Sequence, residues 1–254
     1  MKKIKIGNFS QQKFITKLGQ FELLDNFEIV DLTGLSVEEV VNKQLEVIEI
    51  APNDFAVFKD YAHAIDWKTN LVGIADALIL QNGKYRPINL QVEALILSIK
   101  KNSKKINSQL PVIVIGDFHF VFSVVAKLAM SGFVEIIYSI TDGSDAFSEL
   151  VEKKVKSFVF DLNLRSVNIN ELTTSDLAGA LLVSDFKKST NKEAYELLTY
   201  FNFLLQGALF IDCNSINDSF LVEDAKKAEI AVVDEREVIT QKYFYLLDKL
   251  KISS

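Results

Sequence analysis

Residue types that commonly hold metals or act as nucleophiles are scarce in this chain. It contains 2 histidines and 1 cysteine, so disulfides within the chain and zinc sites built on cysteine are excluded. His63 and His119 also lack the spacing of zinc ligands. The polar run at residues 212–218 suggests a cation loop, but it lacks the glycine and terminal glutamate of a calcium loop. We expect no metal site, and we interpret this run as a turn at a strand end, with Cys213 partly exposed and lacking the basic neighbours that would activate it.

The turn after the apolar run Val112–Gly116 is a candidate anion site. Glycine-rich turns at such positions let the backbone approach phosphate oxygens at the start of a helix. Here the turn reads Gly116-Asp117-Phe118-His119-Phe120, which keeps one glycine. Phe118 and His119 add bulk and Asp117 adds negative charge. Since two unit charges about 4 Å apart repel by roughly 4 kcal/mol at an effective dielectric of about 20, the turn is predicted to disfavour phosphate.

His119 allows two interpretations. A protonated imidazole could contact a different anion. Its aromatic neighbours, Phe118, Phe120 and Phe122, favour partial packing in the core instead.

The elements that position these residues alternate regularly from residue 111 onward. Apolar, β-branched runs predict strands at residues 112–116, 135–140, 157–162, 180–184, 208–212 and 230–234. Amphipathic stretches predict helices at residues 120–130, 145–155, 192–205 and 219–228. This alternation is typical of a doubly wound parallel sheet, and the strand number matches a dinucleotide-binding domain.

The first 110 residues are less regular. Strands are predicted at residues 3–7, 27–32 and 46–50, with a hairpin of residues 77–81 and 84–88 around Asn82-Gly83. Ser36 and Glu39 predict a capping box for a helix ending near Gln44. Further helices are predicted at residues 55–67, with Asp54 as N-cap and His63 within it, and at residues 90–100, followed by a linker through residue 109.

Together these elements predict an α/β protein with two domains, residues 1–106 and residues 107–236. The second is a Rossmann-like domain with a doubly wound parallel sheet.

Composition narrows the function classes. The net charge is −6 and 49% of residues are hydrophobic, and the one dense basic stretch, residues 100–105, is interpreted as a solvated linker. Nucleic-acid binding is therefore not expected. Without an apolar run long enough for a membrane span or a signal peptide, we expect a cytoplasmic protein. The 19 phenylalanines and the aromatic helix at residues 192–205 fit core packing, or a partner such as a second copy on one face.

Residues 82–93 resemble the stretch of shikimate dehydrogenases in which a hairpin leads into Gly-Tyr-Asn-Thr-Asp and a helix. Upstream, Gly73-Ile74-Ala75-Asp76-Ala77 resembles that family's Gly-Ala-x-Asn-Thr, and Ala51-Pro52-Asn53-Asp54 falls where the family has Pro-His-Lys. A nucleotide-binding domain and a closing helix with Gln241 follow in the expected order. The resemblance covers nearly the whole chain and implies the two-domain fold. It implies that residues 1–106 form an N-terminal α/β substrate-type domain and that residues 237–254 form a C-terminal helix that packs back toward that domain.

The resemblance implies that the catalytic pair is not intact. In the family a lysine and an aspartate handle the hydroxyl proton while hydride moves to NADP. Asp54 and Gln91 occupy those positions here, and losing both acid/base groups forfeits about 10²–10⁴-fold in rate for each. Asp76 and Ala77 replace a substrate-binding asparagine and threonine, Asn89 is retained, and Ser10-Gln11-Gln12 stands in place of paired serines.

The cofactor positions differ in the same way. Gly116, Asp117, Phe118 and His119 stand where the family has Gly-Ala-Gly-Gly. Ser139, Ile140 and Thr141 stand where it has Asn-Arg-Thr, whose arginine grips the NADP phosphate. The resemblance therefore implies that no cofactor is bound.

Three hypotheses follow. The first is a non-catalytic binding or regulatory module of shikimate dehydrogenase type, a pseudoenzyme whose interdomain cleft holds an unknown small molecule. That cleft would be lined by Asp54, Asp76, Asn89, Gln91 and Gln241. The second is a divergent NADP- or NAD-dependent oxidoreductase acting on a hydroxy acid. The third is a protein–protein interaction module, with a homodimer as one form.

Overall fold

The computed structural model describes residues 3–9, 13–20, 25–63, 72–102, 106–142, 145–214 and 220–251. The chain divides into two compact units. The first unit comprises Met1–Ala94 with Ile239–Ser254, and the second comprises Leu95–Val238.

The first unit is built on a five-stranded mixed sheet in the order β2-β1-β3-β4-β5. Its strands are β1 (Ile4–Asn8), β2 (Phe27–Asp31), β3 (Val47–Glu49), β4 (Ala77–Gln81) and β5 (Lys84–Ile88). Its helices are α1 (Lys13–Gln20), α2 (Val37–Asn42), α3 (Phe55–Phe58) and α4 (Leu90–Lys101), which continues into the second unit. Strand β1 is parallel to β2 and β3, whereas β4 is antiparallel to β3 and β5.

Two local predictions in this unit are confirmed. Asn82 and Gly83 have φ angles of 52° and 73°, as a two-residue hairpin turn of type I′ requires. The capping box is formed as expected, because the Ser36 hydroxyl accepts from the Glu39 backbone N–H and the Glu39 carboxylate accepts from the Ser36 N–H.

The helix predicted at residues 55–67 is wrong over most of its described part. Helix α3 ends at Phe58, which is fully buried, and a 3-10 turn follows at Lys59–Tyr61. Ala62 then forms an isolated β-bridge with Tyr85, and the His63 N–H donates to the Tyr85 carbonyl. Pairing with β5 therefore replaces the helix, and His63 is an exposed residue after the turn. Residues 64–67 lie outside the described residues.

The second unit contains a six-stranded sheet in the order β11-β10-β9-β6-β7-β8, all parallel. The strands are β6 (Val112–Gly116), β7 (Glu135–Ile140), β8 (Asn163–Ser166), β9 (Gly179–Ser184), β10 (Leu204–Asp212) and β11 (Ala231–Val233). The helices are α5 (Phe118–Met130), α6 (Asp145–Lys156), α7 (Ile169–Thr174), α8 (Lys192–Leu198), α9 (Phe220–Lys227) and α10 (Glu235–Lys251), which ends in the first unit. This is the doubly wound order of a dinucleotide-binding domain, with its switch point between β6 and β9.

The strand predicted at residues 157–162 is wrong. The backbone N–H groups of Phe158 and Val159 both donate to the Val155 carbonyl, so this apolar run finishes helix α6 instead of pairing in the sheet. Phe160 is 85% exposed and Asp161 has a φ of 59°. The edge strand is the more polar β8, which pairs with β7.

The helix predicted at residues 192–205 is too long, because α8 ends at Leu198 and β10 begins at Leu204. Phe201 adopts a φ of 47° and lies buried beside Phe203 and Phe210. Core packing is thus confirmed for most of the aromatic cluster, while Tyr200 is 73% exposed. None of the helices that the structure describes is long and apolar enough to cross a membrane.

Candidate functional site

The start of helix α5 is occupied by two carboxylates of the chain itself. Asp117 is the N-cap, and its Oδ1 accepts from the Phe120 N–H at 2.8 Å. Asp142 lies two residues after β7, and its Oδ1 accepts from the Phe118 N–H at 2.8 Å. First-turn N–H groups have no partner within their own helix and normally attract an anion. At this helix, Asp117 and Asp142 already accept hydrogen bonds from two of these N–H groups, in place of an external anion.

The side chain of Phe118 extends an aromatic stack toward helix α6. Its ring centroid lies 4.6 Å from that of Phe147, with an interplanar angle of 25°. The ring centroid of Phe122 lies 5.8 Å from that of Phe118. At Gly116 in the same turn, an added Cβ would come within 2.6 Å of the Phe120 Cδ1. The glycine is therefore required by the packing of Phe120.

His119 is partly buried, and its ring makes an edge contact with Phe118 at 5.2 Å between centroids. Its buried Nδ1 has no hydrogen-bond partner among the described residues, and neither has the buried Ser123 Oγ one helical turn later. Contact with Phe118 is consistent with the packing interpretation of this histidine.

Ser139, Ile140 and Thr141 lie at the carboxyl end of β7. The Thr141 N–H donates to the Gly116 carbonyl, which joins the end of β7 to the end of β6. All three residues line a groove of about 1340 Å³ in the second unit. None of the three carries the positive charge that would hold a phosphate.

In the first unit, Asp76, Asn89 and Gln91 meet at the start of helix α4. The Asp76 carboxylate accepts from the backbone N–H groups of Leu90 and Gln91. Asn89 Oδ1 accepts from the Val92 N–H at 3.1 Å. The side-chain Nε2 of Gln91 is buried and has no partner in the described part of the chain.

Burial raises the pKa of Asp76, while the positive charge of Lys242 and the two α4 N–H groups act in the opposite direction. A raised carboxyl pKa is often a sign of an acid/base group. Here the buried carboxylate has a structural role, because it caps the helix that carries Gln91.

Asp54 does not act as predicted at the start of α3. It is the last residue of a 3-10 turn, Pro52–Asp54, with φ −80° and ψ −11°, and its side chain makes no capping hydrogen bond. Its backbone is already helical, whereas a side-chain cap needs an extended one. Gln241 lies on α10 and is partly buried, next to the Lys242 that faces Asp76.

Cys213 is 7% exposed, so the expected partial exposure is wrong. It lies between Asp212 and Asn214, both buried, and the Asp212 Oδ1 accepts from the Asn214 N–H. Residues 215–218 of the polar run, like Ser10, Gln11 and Gln12, lie outside the described residues. Within the described ranges, no group of three or more His, Cys, Asp or Glu could hold a metal ion.

Two carboxylates of these sites were missed from the sequence. That Asp142 reaches the start of α5 was not predicted from the sequence. Because β6 and β7 end side by side, an acidic residue just beyond β7 could have indicated this contact. Glu49 is 4% exposed in β3, and its Oε2 accepts from the Ile15 N–H near the start of α1 at 3.4 Å. Together with Asp76 and Asp117, these carboxylates show that acidic side chains serve helix starts in both units.

No protein-family model matches this sequence, and no curated protein matches it at a significant level. Solved structures are nevertheless similar over the whole chain. Shikimate 5-dehydrogenase from Listeria monocytogenes, in complex with shikimate and NAD, has a TM-score of 0.76 at 11% identity, covering 98% of this chain and 92% of that one.

Quinate dehydrogenase from Corynebacterium glutamicum, in complex with NAD, has a TM-score of 0.76 at 10% identity, covering 98% and 93%. Ligand-free 5-ketofructose reductase of a Gluconobacter strain has a TM-score of 0.72 at 12% identity, also covering 98% and 93%. At these identities the likeness establishes the fold and not the activity. The chain therefore has the two-domain α/β fold of the shikimate dehydrogenases.

Proposed function

We propose that this chain is a shikimate dehydrogenase-like protein that has lost NADP-dependent hydride transfer and acts as a non-catalytic binding or regulatory module. The observation that carries the proposal is the pair of carboxylates at the start of α5. Asp117 and Asp142 hold the Phe120 and Phe118 N–H groups on which a dinucleotide pyrophosphate would rest in this fold.

A pyrophosphate could use these N–H groups only after displacing both carboxylates. Hydrogen bonds to charged groups contribute about 1.5–3 kcal/mol each, so the displacement costs several kcal/mol before any repulsion is counted. The displaced carboxylates would remain close to the phosphates, since they lie on the same turn and on the neighbouring strand end. The Phe118–Phe147 stack adds side-chain bulk at the same helix start.

The proton-transfer positions support the same conclusion. Gln91 cannot take a proton, and its own N–H is engaged by Asp76. Asp76 has both carboxylate oxygens committed to N–H groups of α4. Asp54 supplies an anion where the resemblance implies a lysine. These positions therefore offer no acid/base pair for a hydroxyl proton.

The proposal is tested with the purified full chain, shikimate or quinate, and NADP or NAD. We expect no nucleotide reduction and no rise in the melting temperature with either nucleotide. A shikimate dehydrogenase assayed in parallel shows that the conditions support turnover. Reduction of NADP or NAD at an ordinary enzymatic rate would contradict the proposal and favour the divergent oxidoreductase.

A further inference from the structure

Strand β8 forms one edge of the sheet in the second unit. It is the last strand in the order β11-β10-β9-β6-β7-β8, and the described strand that pairs with it is β7. The N–H groups of Asn163 and Val167 donate to the carbonyls of Val134 and Tyr138 on the β7 side. Because the N–H and C=O groups of successive residues point to opposite sides of a strand, those of Leu164 point away from β7. This edge can therefore accept a further strand.

The two faces of β8 carry different side chains. On one face, Leu164 is buried and the Ser166 hydroxyl shares a hydrogen bond with a serine of α6. On the other face, Asn163 and Arg165 are exposed. Asp161, two residues before Asn163, is exposed as well. Arg165 and Asp161 form no ion pair within the part of the chain that the structure describes, so both charges are available to a partner.

Exposed apolar surface lies at the amino end of the same strand. Phe160 has the largest exposed fraction of the described large hydrophobic residues. Val134, whose carbonyl accepts from the Asn163 N–H, is also exposed. Aromatic residues and arginine are among the residue types enriched in protein interfaces. The β8 edge thus combines outward backbone groups, an exposed aromatic ring and two exposed charges of opposite sign.

The other sheet edges are less suited to pairing with a second copy of the chain. The charged residues of β2 are Glu28 and Asp31, both exposed acids that would repel their copies. Strand β5 contains Pro87 and is already bridged by Ala62 at Tyr85. Strand β11 has only three residues. Among these edges, β8 is the one whose segment carries charges of both signs.

A two-fold axis makes the charges of two β8 strands complementary. Two copies of one strand related by such an axis are antiparallel, and each contact between them occurs twice. With Asn163 on the axis, Arg165 of each copy faces Asp161 of the other. With Leu164 on the axis, Arg165 faces Asn163 and gains no charged partner. With Arg165 on the axis, like charges face each other, which is destabilising. Charge therefore selects the register with Asn163 on the axis.

We propose that β8 pairs with β8 of a second copy of this chain, which joins the two parallel sheets into one continuous sheet. Leu162 and Leu164 exchange backbone hydrogen bonds across the axis, and the Asp161–Arg165 pairs flank them. Phe160 of each copy lies beside the carboxyl end of the other strand, where its ring is removed from water. The inference goes beyond the proposed function, because none of these residues lies at the start of α5 or in the first unit.

Sedimentation velocity of the full chain between about 1 and 500 µM tests for this dimer. We expect a monomer–dimer equilibrium with a Kd of about 1–100 µM, because a short strand pair makes a small interface. Amide hydrogen exchange at the two ends of this concentration range locates the contact. The N–H groups of Leu162 and Leu164 should exchange severalfold more slowly at the high concentration, whereas those of β2 should not change.

Charge variants test the register. Arg165→Asp leaves two acidic positions on the segment and Asp161→Lys leaves two basic ones, so each variant alone should self-associate at least about tenfold more weakly than the wild type. An equimolar mixture of the two variants pairs every charge with its opposite and should associate about as tightly as the wild type. This recovery also shows that both variants are folded. Because the charge pairs are exposed, about 1 M salt should weaken the wild-type dimer.

The apolar contact is tested by Phe160→Ser, which should also weaken the dimer at least about tenfold. Tyr200→Ser, which removes an exposed aromatic ring elsewhere in the same unit, is its matched control. Arg86→Asp, at an exposed position on the β5 edge of the other unit, is the control for the charge variants. Both control variants should dimerise as the wild type does.

A protein that stays monomeric up to about 500 µM would overturn the proposal. So would a dimer whose affinity is unchanged by both Arg165→Asp and Phe160→Ser, because the contact would then lie elsewhere. A mixture of the two charge variants that stays monomeric would exclude the register with Asn163 on the axis, on which the proposal depends.

Discussion

Removing the two charges at the start of α5 should restore affinity for pyrophosphate. The double variant Asp117→Asn with Asp142→Asn keeps an oxygen acceptor at each position, and asparagine is as good an N-cap as aspartate. The hydrogen bonds to Phe120 and Phe118 can therefore persist in neutral form. The perturbation isolates electrostatic repulsion and leaves the Phe118 side chain in place.

The expected gain follows from the geometry. Both carboxylates lie 2.8 Å from the N–H nitrogens that a phosphate would approach, so carboxylate and phosphate charges would be about 4 Å apart. Two unit charges at that distance repel by about 1 kcal/mol in water and about 4 kcal/mol at an effective dielectric of 20. Asp117 is partly exposed and Asp142 is exposed, so solvent screens both charges, and we take the repulsion energy of each carboxylate with the phosphate as about 1–2 kcal/mol. Removing both should raise affinity roughly 30- to 1000-fold.

The assay is calorimetric titration with inorganic pyrophosphate and with ADP at low ionic strength. Screening at about 1 M salt, where the Debye length is about 3 Å, should reduce the difference between variant and wild type. The control variant, Asp161→Asn with Asp176→Asn, removes two exposed carboxylates from the same unit. It makes the same change in net charge away from the turn.

Equal affinity of the double variant and the wild type would refute the electrostatic reasoning. An equal gain in the control variant would also refute it, since net charge alone would then account for the effect. Micromolar binding of pyrophosphate by the wild type would show that the carboxylates do not prevent an anion from binding at the turn.

Three further predictions concern Gly116 at the turn before α5 and the residues Asp76, Asp54 and Gln91 of the first unit. Gly116→Ala should destabilise the protein by about 1–3 kcal/mol in urea unfolding, because the new Cβ would meet Phe120 at 2.6 Å, and adding Phe120→Leu should recover part of that loss. Burial raises the pKa of Asp76 in the folded state. The free energy of unfolding of the wild type should therefore rise relative to that of Asp76→Asn as pH falls from neutral through the raised pKa, and fall again as pH rises. Urea unfolding at several pH values measures this difference, and a difference that does not change with pH would contradict the prediction. Restoring the catalytic residue types with Asp54→Lys and Gln91→Asp should produce no reduction of NADP in the presence of shikimate, because the cofactor turn stays occupied; measurable turnover would show that only the acid/base pair had been lost.

Elements whose signals are local could be predicted from the sequence. The Asn82-Gly83 turn, the Ser36 capping box and the strand Val112–Gly116 each depend on a few adjacent residues, and each lies where expected. The alternation of strands and helices after residue 111 was enough to predict a doubly wound sheet. The resemblance at residues 73–93 agrees with the fold of the solved structures.

Elements decided by tertiary contacts could not be predicted in this way. The edge strand Asn163–Ser166 carries no apolar pattern, and the apolar run before it completes a helix. Asp142 reaches Phe118 across 24 residues of sequence, and Asp76 reaches the start of α4 across 14. The sequence shows that these carboxylates exist, but their N–H partners are set by which strand ends lie side by side.

The proposed loss of cofactor binding depends on the N–H groups of Phe118 and Phe120, which the two carboxylates occupy. A crystal structure of the protein grown with saturating NADP tests it directly. We predict that Asp142 and Asp117 keep their hydrogen bonds to these groups and that no pyrophosphate lies in the turn. A pyrophosphate bound to both N–H groups, with the two carboxylates turned away, would contradict the account.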